Sequence, residues 1–304
     1  MATTTSASRP DPLLNVRRLT RRDRHLLAWL AEHYVLSTEQ ITRAFFGSQR
    51  YAQRRLALLD RIGAVSRFAF ARTPGTGAGA GSYRYTLGPL GALLHPTTYT
   101  HPDNPAARPP KTQLERVARI LVSPRLDHLL GVNDFFTTLH AHTRHHTGSR
   151  LRRCWSEQHT TTAFAAYPGV GIRPDGHGVW SADDAVVGFF LEHDTGTEDL
   201  TRVIAKLAGY QRLANGGPRY PVLLWVPSRR REANLLRALT GIRLPMPVAT
   251  AVHHPQPAGP IWALAGDPGP RLHLHELPSN DGPATALNPA RFGTDPNDHT
   301  GTAV

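Results

Sequence analysis

Cysteine is almost absent. Cys154 stands alone in 304 residues, which rules out an internal disulfide and any zinc cluster built from cysteines. Lysine is nearly as scarce: of 35 basic side chains only Lys111 and Lys206 are lysines, and the rest are arginines. No apolar run approaches the roughly 18 residues that would suggest a membrane span. The opening stretch MATTTSASRPDPLLN lacks the apolar core of a signal peptide, so the expected location is the cytosol. No internal repeat is present. The glycine-rich stretch 73–82 contains no Gly-Lys-Ser/Thr, which removes a nucleotide-hydrolase phosphate loop from consideration. Acids are outnumbered, 23 against 35 bases.

The resulting formal net charge of +12 points to a polyanionic partner, and arginine's fork suits phosphate. Arginine bias alone also follows from GC-rich coding, so the net charge carries this argument. Against that background the retained Lys206 stands out. The length allows two domains, each with its own core. Residues 1–18 read as a loose polar N-terminus, 19–94 as a first domain and the Pro-rich 95–111 as a linker. An α/β domain is expected over 112–277, and a tail rich in Pro, Gly, Asn and Asp over 278–304.

The first domain reads as a winged helix-turn-helix. Leu26, Leu27, Leu30 and Tyr34 recur at helical spacing and predict a helix over 21–33. Ser37 with Gln40 forms a capping-box signature that opens a second helix with Ile41, Phe45 and Phe46 inward. Gly47 breaks it, and a third helix is expected from Ser48 to Ile62 with Tyr51, Leu58 and Ile62 inward. On that helix Arg50, Arg54 and Arg61 fall within about 40° of one another, with Gln53 at their border. Arg55 lies inside the apolar arc, which the pattern leaves unexplained except as a cap or a pair. Strands Val65–Phe70 and Tyr83–Leu87 flank the 73–82 loop as a wing, with Arg67, Arg72 and Arg84 nearby. A basic third helix and a basic wing predict duplex DNA as the partner. The alternative is a protein–protein module with a solvated arginine face.

In the second domain a helix is expected near 125–147, then a strand over Leu151–Ser156, the Asp175 segment and a strand over 186–194. A helix over 198–214, the buried strand Pro221–Val226, a helix over Arg229–Leu239 and a strand over Val248–Val252 follow. The acids Asp175, Glu192 and Asp194 are each read as sitting at or in a strand, and Glu192 and Asp194 should share one face by the period-2 rule. Carboxylates gathered at strand ends repel unless a cation or proton intervenes, an arrangement suited to Mg²⁺ or Mn²⁺ and phosphodiester hydrolysis. Lys206, with Tyr210 one helical turn on, completes the candidate set. The alternative is that acids ending buried strands simply meet solvent. Glu157 and Asp134 are secondary candidates for the acidic cluster. His142 and His146 share a helix face at zinc-pair spacing beside His140 and His145, without an acid between them.

This αβββαβ order, with ArgProAspGly at 173–176 and Glu192 in the next strand, resembles the PD-(D/E)xK nuclease superfamily. Over residues 19–250 the chain resembles the replication-relaxation family of actinobacterial and plasmid-borne proteins. The shared features are the ArgArgAspArg start, the segment HLLGVNDFF at 128–136, and the run from Arg173 to Tyr210. The resemblance implies that Asp175 and Glu192 bind a divalent cation, and that a lysine assists charge stabilisation or water activation. Asp194 stands where the superfamily's lysine follows the Glu, and Lys206, one helix later, is the residue that could reach back. The implied role is plasmid replication or mobilisation, including relaxation of supercoiled DNA, with a replication or relaxase protein as a further partner. Two other readings stay open: a non-catalytic DNA-binding recruitment factor on a degenerate nuclease fold, and a toxin-like RNA nuclease, for which no aromatic single-strand platform is found.

Overall fold

The computed structural model describes residues 12–69, 83–96, 108 and 112–283. The 73–82 loop with Arg72, most of the 95–111 linker and the tail from 284 lie outside these residues. The chain is mixed α/β and divides into two units at Ile120/Leu121. Among the described residues no helix is long and apolar enough to cross a membrane.

Unit 1 contains α1 (Pro12–Val16), α2 (Arg21–His33), β1 (Leu36–Ser37), α3 (Thr38–Phe45), α4 (Gln49–Arg61), β2 (Val65–Ala69), β3 (Tyr83–Leu87), α5 (Pro89–Leu94) and α6 (Gln113–Leu121). The strands form an antiparallel sheet of order β1-β3-β2. Helix α1 occupies part of the stretch expected to be loose, and α6, expected in the second domain, groups with unit 1. The Ser37–Gln40 capping box forms as expected: the Ser37 hydroxyl accepts from Gln40 N–H at 3.2 Å, and the Gln40 side chain accepts from Ser37 N–H at 2.9 Å. Thr20 and Asp23 make a second box at the start of α2.

The inward face of α4 differs from the expectation. Ala52, Leu56 and Leu59 fill the core, whereas Tyr51 is 54% exposed. Arg55, the residue the helical pattern left unexplained, pairs with Asp23, a carboxylate only 1% exposed. Its Nε donates to Asp23 Oδ1 at 3.0 Å, one Nη2 bond goes to Asp23 Oδ2, and Nη2 also reaches the Arg18 carbonyl at 2.9 Å. The arginine therefore belongs on the flank of the core because α2 supplies a buried anion there. Burial opposes the Asp23 charge, but Arg55 and Thr20 outweigh it and hold the carboxyl below its ordinary 3.8.

Unit 2 contains α7 (Leu126–Thr143), β4 (Arg150–Ser156), α8 (Glu157–Phe164), β5 (Gly176–Ala182), β6 (Ala185–His193), α9 (Leu200–Ala214), β7 (Val222–Val226), α10 (Arg229–Leu239), β8 (Val248–Val252) and β9 (Ala263–Leu264). One six-stranded sheet runs β4-β5-β6-β7-β8-β9. The β4–β5–β6 pairs are antiparallel, β6–β7 and β7–β8 parallel, and β8–β9 antiparallel. All five residues of β7 are buried between two parallel neighbours, which explains its uninterrupted apolar sequence. On one face Phe135 of α7 meets Phe189, Trp225 and Trp262 edge-on. The other carries α9 and α10, whose Val203, Leu207, Leu213, Leu235 and Leu239 pack on Phe190, Val222, Leu224 and Val248.

Asp175 immediately precedes β5, as the αβββαβ order implies; β5 begins at Gly176 and hairpins into β6 through Asp183 and Asp184, both left-handed (φ 48° and 63°). Two local features differ from expectation. Helix α8, with three consecutive threonines, was not anticipated; Ser156 caps it by accepting from His159 N–H at 3.3 Å. Residues 278–283, expected to belong to a loose tail, are tied down: Ser279 Oγ exchanges hydrogen bonds with the Gly188 backbone, and Tyr220 donates to Asp281 at 2.8 Å.

Replacing Arg55 with Leu strands the buried Asp23 carboxylate and should destabilise unit 1 by about 3 kcal/mol. Hydrogen exchange on the whole chain at neutral pH is the measurement, with protection in α2 and α4 falling by about 100-fold. The deficit should shrink below pH 3.8, where the wild type loses the same contribution as Asp23 takes up a proton. Unchanged protection at neutral pH would mean the pair adds no net stability.

Candidate functional site

Sheet geometry brings the acids together at one end of β6. Gly176 is in register with Leu191 across the antiparallel β5–β6 pair, so Asp175 falls one step further on, beside Glu192. Asp175 Oδ2 accepts the His193 N–H at 2.7 Å, and Oδ1 lies 2.8 Å from Nε2 of His128 on α7. Burial opposes the Asp175 charge, but His128 and the His193 N–H outweigh it and hold its pKa below 3.8. His128 is raised in turn: burial works against its charge, and Asp175 overcomes that.

Glu192 projects to the α9 side. Tyr210 donates to its Oε1 at 2.5 Å, and Lys206 Nζ lies 3.3 Å from its Oε2. The two partners are four apart on α9 and so share a helix face. Glu198 holds the same Nζ at 3.0 Å from the other side. Burial and the neighbouring Asp175 charge push the Glu192 carboxyl up to about 7 despite Lys206 and Tyr210. Lys206 itself is raised, since the acids around it, Glu192 first, outweigh its burial. Lys206 therefore does reach back from the helix to the strand end.

Asp194 takes a different partner. It follows β6 on the side where α9 and α10 pack, as the period-2 argument required. Its carboxylate is clamped by Arg231 of α10, Nε to Oδ2 at 2.6 Å and Nη2 to Oδ1 at 3.2 Å. The same guanidinium also binds the Glu198 carbonyl. Of the three acids, Asp175 and Glu192 therefore lie together at the end of β6, while Asp194 is drawn to α10. Among the described residues no group of three or more His, Cys, Asp or Glu side chains is placed to hold a metal ion.

The secondary candidates lie elsewhere. Glu157 is engaged by Arg125 at 2.6 Å and Arg173 at 2.8 Å, and Asp134 is exposed on α7. His142 and His146 stack in parallel with ring centroids 3.7 Å apart. The sequence reading missed His128, His193 and Arg231. Two of them left a trace in the sequence. Gly131, three residues after His128, faces His193 so closely that a Cβ there would sit 2.1 Å from its Nε2; that glycine lets the ring pack against α7. Burial, then His128 and His253, lower the His193 pKa to about 4, so it stays neutral at physiological pH.

In unit 1, Arg50, Gln53, Arg54 and Arg61 are all exposed on α4. Arg67 is tied to Asp60 at 3.1 Å and lies over the Tyr83 ring at 5.0 Å, and Arg84 is half-buried. Arg72 lies outside the described residues.

Comparison with curated proteins and with solved structures returns no match. A family model described as Replication-relaxation matches residues 27–222, a span from α2 to the first residue of β7 that contains Asp175, Glu192, Lys206 and Tyr210. With well over half its length matched, the chain belongs to the replication-relaxation family.

Proposed function

We propose that this replication-related protein binds duplex DNA through unit 1, acting as a winged helix-turn-helix, and cleaves or nicks it through a PD-(D/E)xK-type site in unit 2. The observation that carries the reading is the approach of Lys206 to Glu192, 3.3 Å across from α9, with Asp175 beside it. A lysine displaced from strand to helix thereby supplies the positive charge that the superfamily pattern requires. The arginine stripe of α4, exposed along its length, supports the DNA reading.

The donor set fits a hard divalent cation. Mg²⁺ is commonly held by one or two carboxylates and completes its shell with water and phosphate oxygens. Asp175 and Glu192 provide two, and the burial and mutual repulsion that together raise the Glu192 carboxyl are penalties on negative charge that a cation relieves. Bound there, Mg²⁺ or Mn²⁺ would polarise the scissile phosphate and acidify a coordinated water. The protein's own groups do the rest. Lys206 offsets negative charge growing on phosphate oxygens, Glu198 and Glu192 hold its Nζ in place, and His128 with the His193 N–H fixes Asp175. Arg231 keeps Asp194 out of the cluster.

A second reading, a DNA-binding recruitment factor without cleavage chemistry, is favoured by one observation: the residue at the superfamily's lysine position, Asp194, is committed to an ion pair with α10.

Supercoiled plasmid incubated with Mg²⁺, Mn²⁺ or EDTA separates the two. Metal-dependent conversion to open circle or linear DNA is expected, and Asp175→Ala or Glu192→Ala should lower it at least about 100-fold while duplex binding persists. An Arg50/Arg54/Arg61→Ala variant should lose binding first. Binding without strand breaks in the wild type would establish the recruitment reading.

The pH dependence of stability tests the carboxylate pair without any activity assay. Glu192 titrates near 7 in the folded chain against an ordinary 4.5, so the folded state holds a proton that the unfolded state has released between those values. Stability should therefore fall as pH rises from 4.5 to 7, by up to about 3 kcal/mol from this group, and then level off. Glu192→Gln should abolish that slope. At pH 8, millimolar Mg²⁺ should raise the wild-type melting temperature by about 3 °C and leave Glu192→Gln unchanged. An equal Mg²⁺ shift in both proteins would remove Glu192 as a ligand.

A further inference from the structure

The arginines of α4 are not the only outward-facing bases in unit 1. The segment 17–24 reads ArgArgLeuThrArgArgAspArg, and Arg17, Arg18, Arg21, Arg22 and Arg24 are all exposed. Its one acid, Asp23, is buried and neutralised by Arg55, so the charge this segment presents to solvent is wholly positive. Its placement is fixed by contacts to α4. Asp23 and the Arg18 carbonyl both bind Arg55. One position before Asp23, the Arg22 guanidinium lies 5.2 Å from the Phe46 ring centroid and 5.8 Å from that of Tyr51. Tyr51 and Arg55 are four apart, so the two contacts are successive rungs on one flank of α4.

The helical wheel shows what this flank adjoins. From Arg50 at the origin, Arg61 and Arg54 fall at about 20° and 40°, Tyr51 at about 100° and Arg55 at about 140°, with the core residues beyond. Going around α4 from its basic stripe, half-buried Leu58 at about 80° comes first, then exposed Tyr51, and the next cation is Arg22 of α2. Tyr51 stays half exposed because its ring is packed against Phe46, at 5.7 Å, and carries Arg22. Stacking on an aromatic holds a guanidinium in a defined orientation without consuming its hydrogen-bond donors. Neither Arg18 nor Arg22 makes an ion pair among the described residues.

We propose that the start of α2, with Arg22 seated over Tyr51 and Arg18 beside it, is a second phosphate-gripping edge. Unit 1 then holds one DNA duplex along two basic rails, the α4 stripe and this α2 edge. The Asp23–Arg55 pair sets the spacing between the rails, and Tyr51 bridges them. The inference rests on the DNA-binding reading above, and its partner is the phosphate backbone, so the α2 edge adds affinity without sequence preference.

The test measures binding of the full chain to a 5′-labelled duplex of about 30 base pairs by fluorescence anisotropy, from low to moderate salt. Each phosphate contact contributes about 0.9 to the slope of log K against log salt. Arg18→Gln/Arg22→Gln should lower that slope by about 2 and weaken binding at least about tenfold at the lower salts. Arg237→Gln/Arg243→Gln, which makes the same charge change on exposed positions of unit 2, should leave the slope within about 0.5 of wild type. Arg22→Lys in the Arg18 wild-type background should also retain the wild-type slope, which a purely structural role for the guanidinium would not allow. A slope for Arg18→Gln/Arg22→Gln equal to that of the unit 2 control overturns the proposal. If the wild type binds and the α4 triple variant does not, such a result removes the α2 edge alone. Failure of the wild type to bind duplex at any salt removes the DNA reading and this proposal together.

Discussion

The meeting of Asp175 and Glu192 at the dry end of β6, where burial and mutual repulsion both oppose their charges, is the constraint to which the polar groups around them respond. Glu192 is buried, the Asp175 side chain is only 10% exposed, and antiparallel register puts them side by side. Two ionised carboxylates in such a place are costly, so each oxygen is given a specific partner. Asp175 takes a backbone N–H and a histidine, Glu192 a phenol and an ammonium. The N–H comes from β6 itself, and the side-chain partners come from the two helices on opposite faces of the sheet, α7 and α9. The same demand therefore locks both helical layers onto the strand end. Even then the balance is incomplete, since Glu192 stays protonated to about pH 7. On the reading proposed above, that remaining imbalance is what a bound cation would relieve.

The fold was legible where periodicity and capping agree. Helices α2 and α10 and strands β3 and β8 lie where spacing predicted them, because each is a run whose apolar side faces one layer. The buried β7 run was equally plain, since a strand with parallel neighbours on both sides has no polar face to alternate with. Capping chemistry is local, and the Ser37–Gln40 box could be read from two residues. Failures came where the determining partner is remote in sequence. Arg55 looked misplaced on an apolar arc until Asp23, 32 residues earlier, gave it a counter-ion. Tyr51 looked like core because it is aromatic, but Arg22 and Phe46 hold it at the surface. Helix α8 was invisible because β-branched threonines weaken the helical signal that Ser156 restores by capping.

At the candidate site the residue types were legible and their pairing only in part. A lysine one helix beyond the strand, with a tyrosine four residues on, showed that the two share a helix face and that the lysine could reach back over the strand end; that both meet Glu192 is seen only in the structure. The period-2 rule placed Asp194 on the correct side of the sheet, yet side alone could not reveal Arg231, which arrives from an element some 37 residues later. The partnership of His128 and His193 with Asp175 spans α7, β5 and β6, and its one trace in the sequence is Gly131, three residues after His128, which makes room for the His193 ring.

The contrast between Asp194 and Glu192, two positions apart, shows why the chain keeps a lysine at 206 when nearly every other cation is arginine. Arg231 grips Asp194 through two nitrogens on two oxygens, a fork that fixes the carboxylate and leaves it little freedom to bind anything else. Such a clamp suits an acid whose task is to join the loop after β6 to α10. At Glu192 a second fork would occupy both oxygens and displace Tyr210 from Oε1. An ammonium is a compact charge that engages one oxygen and can pivot. Shared between Glu192 and Glu198, and with its side chain 45% exposed, Lys206 places its charge beside Glu192 without forking onto both of its oxygens. Genomic preference can replace lysine by arginine wherever only charge matters; at 206 the geometry of the donor matters as well.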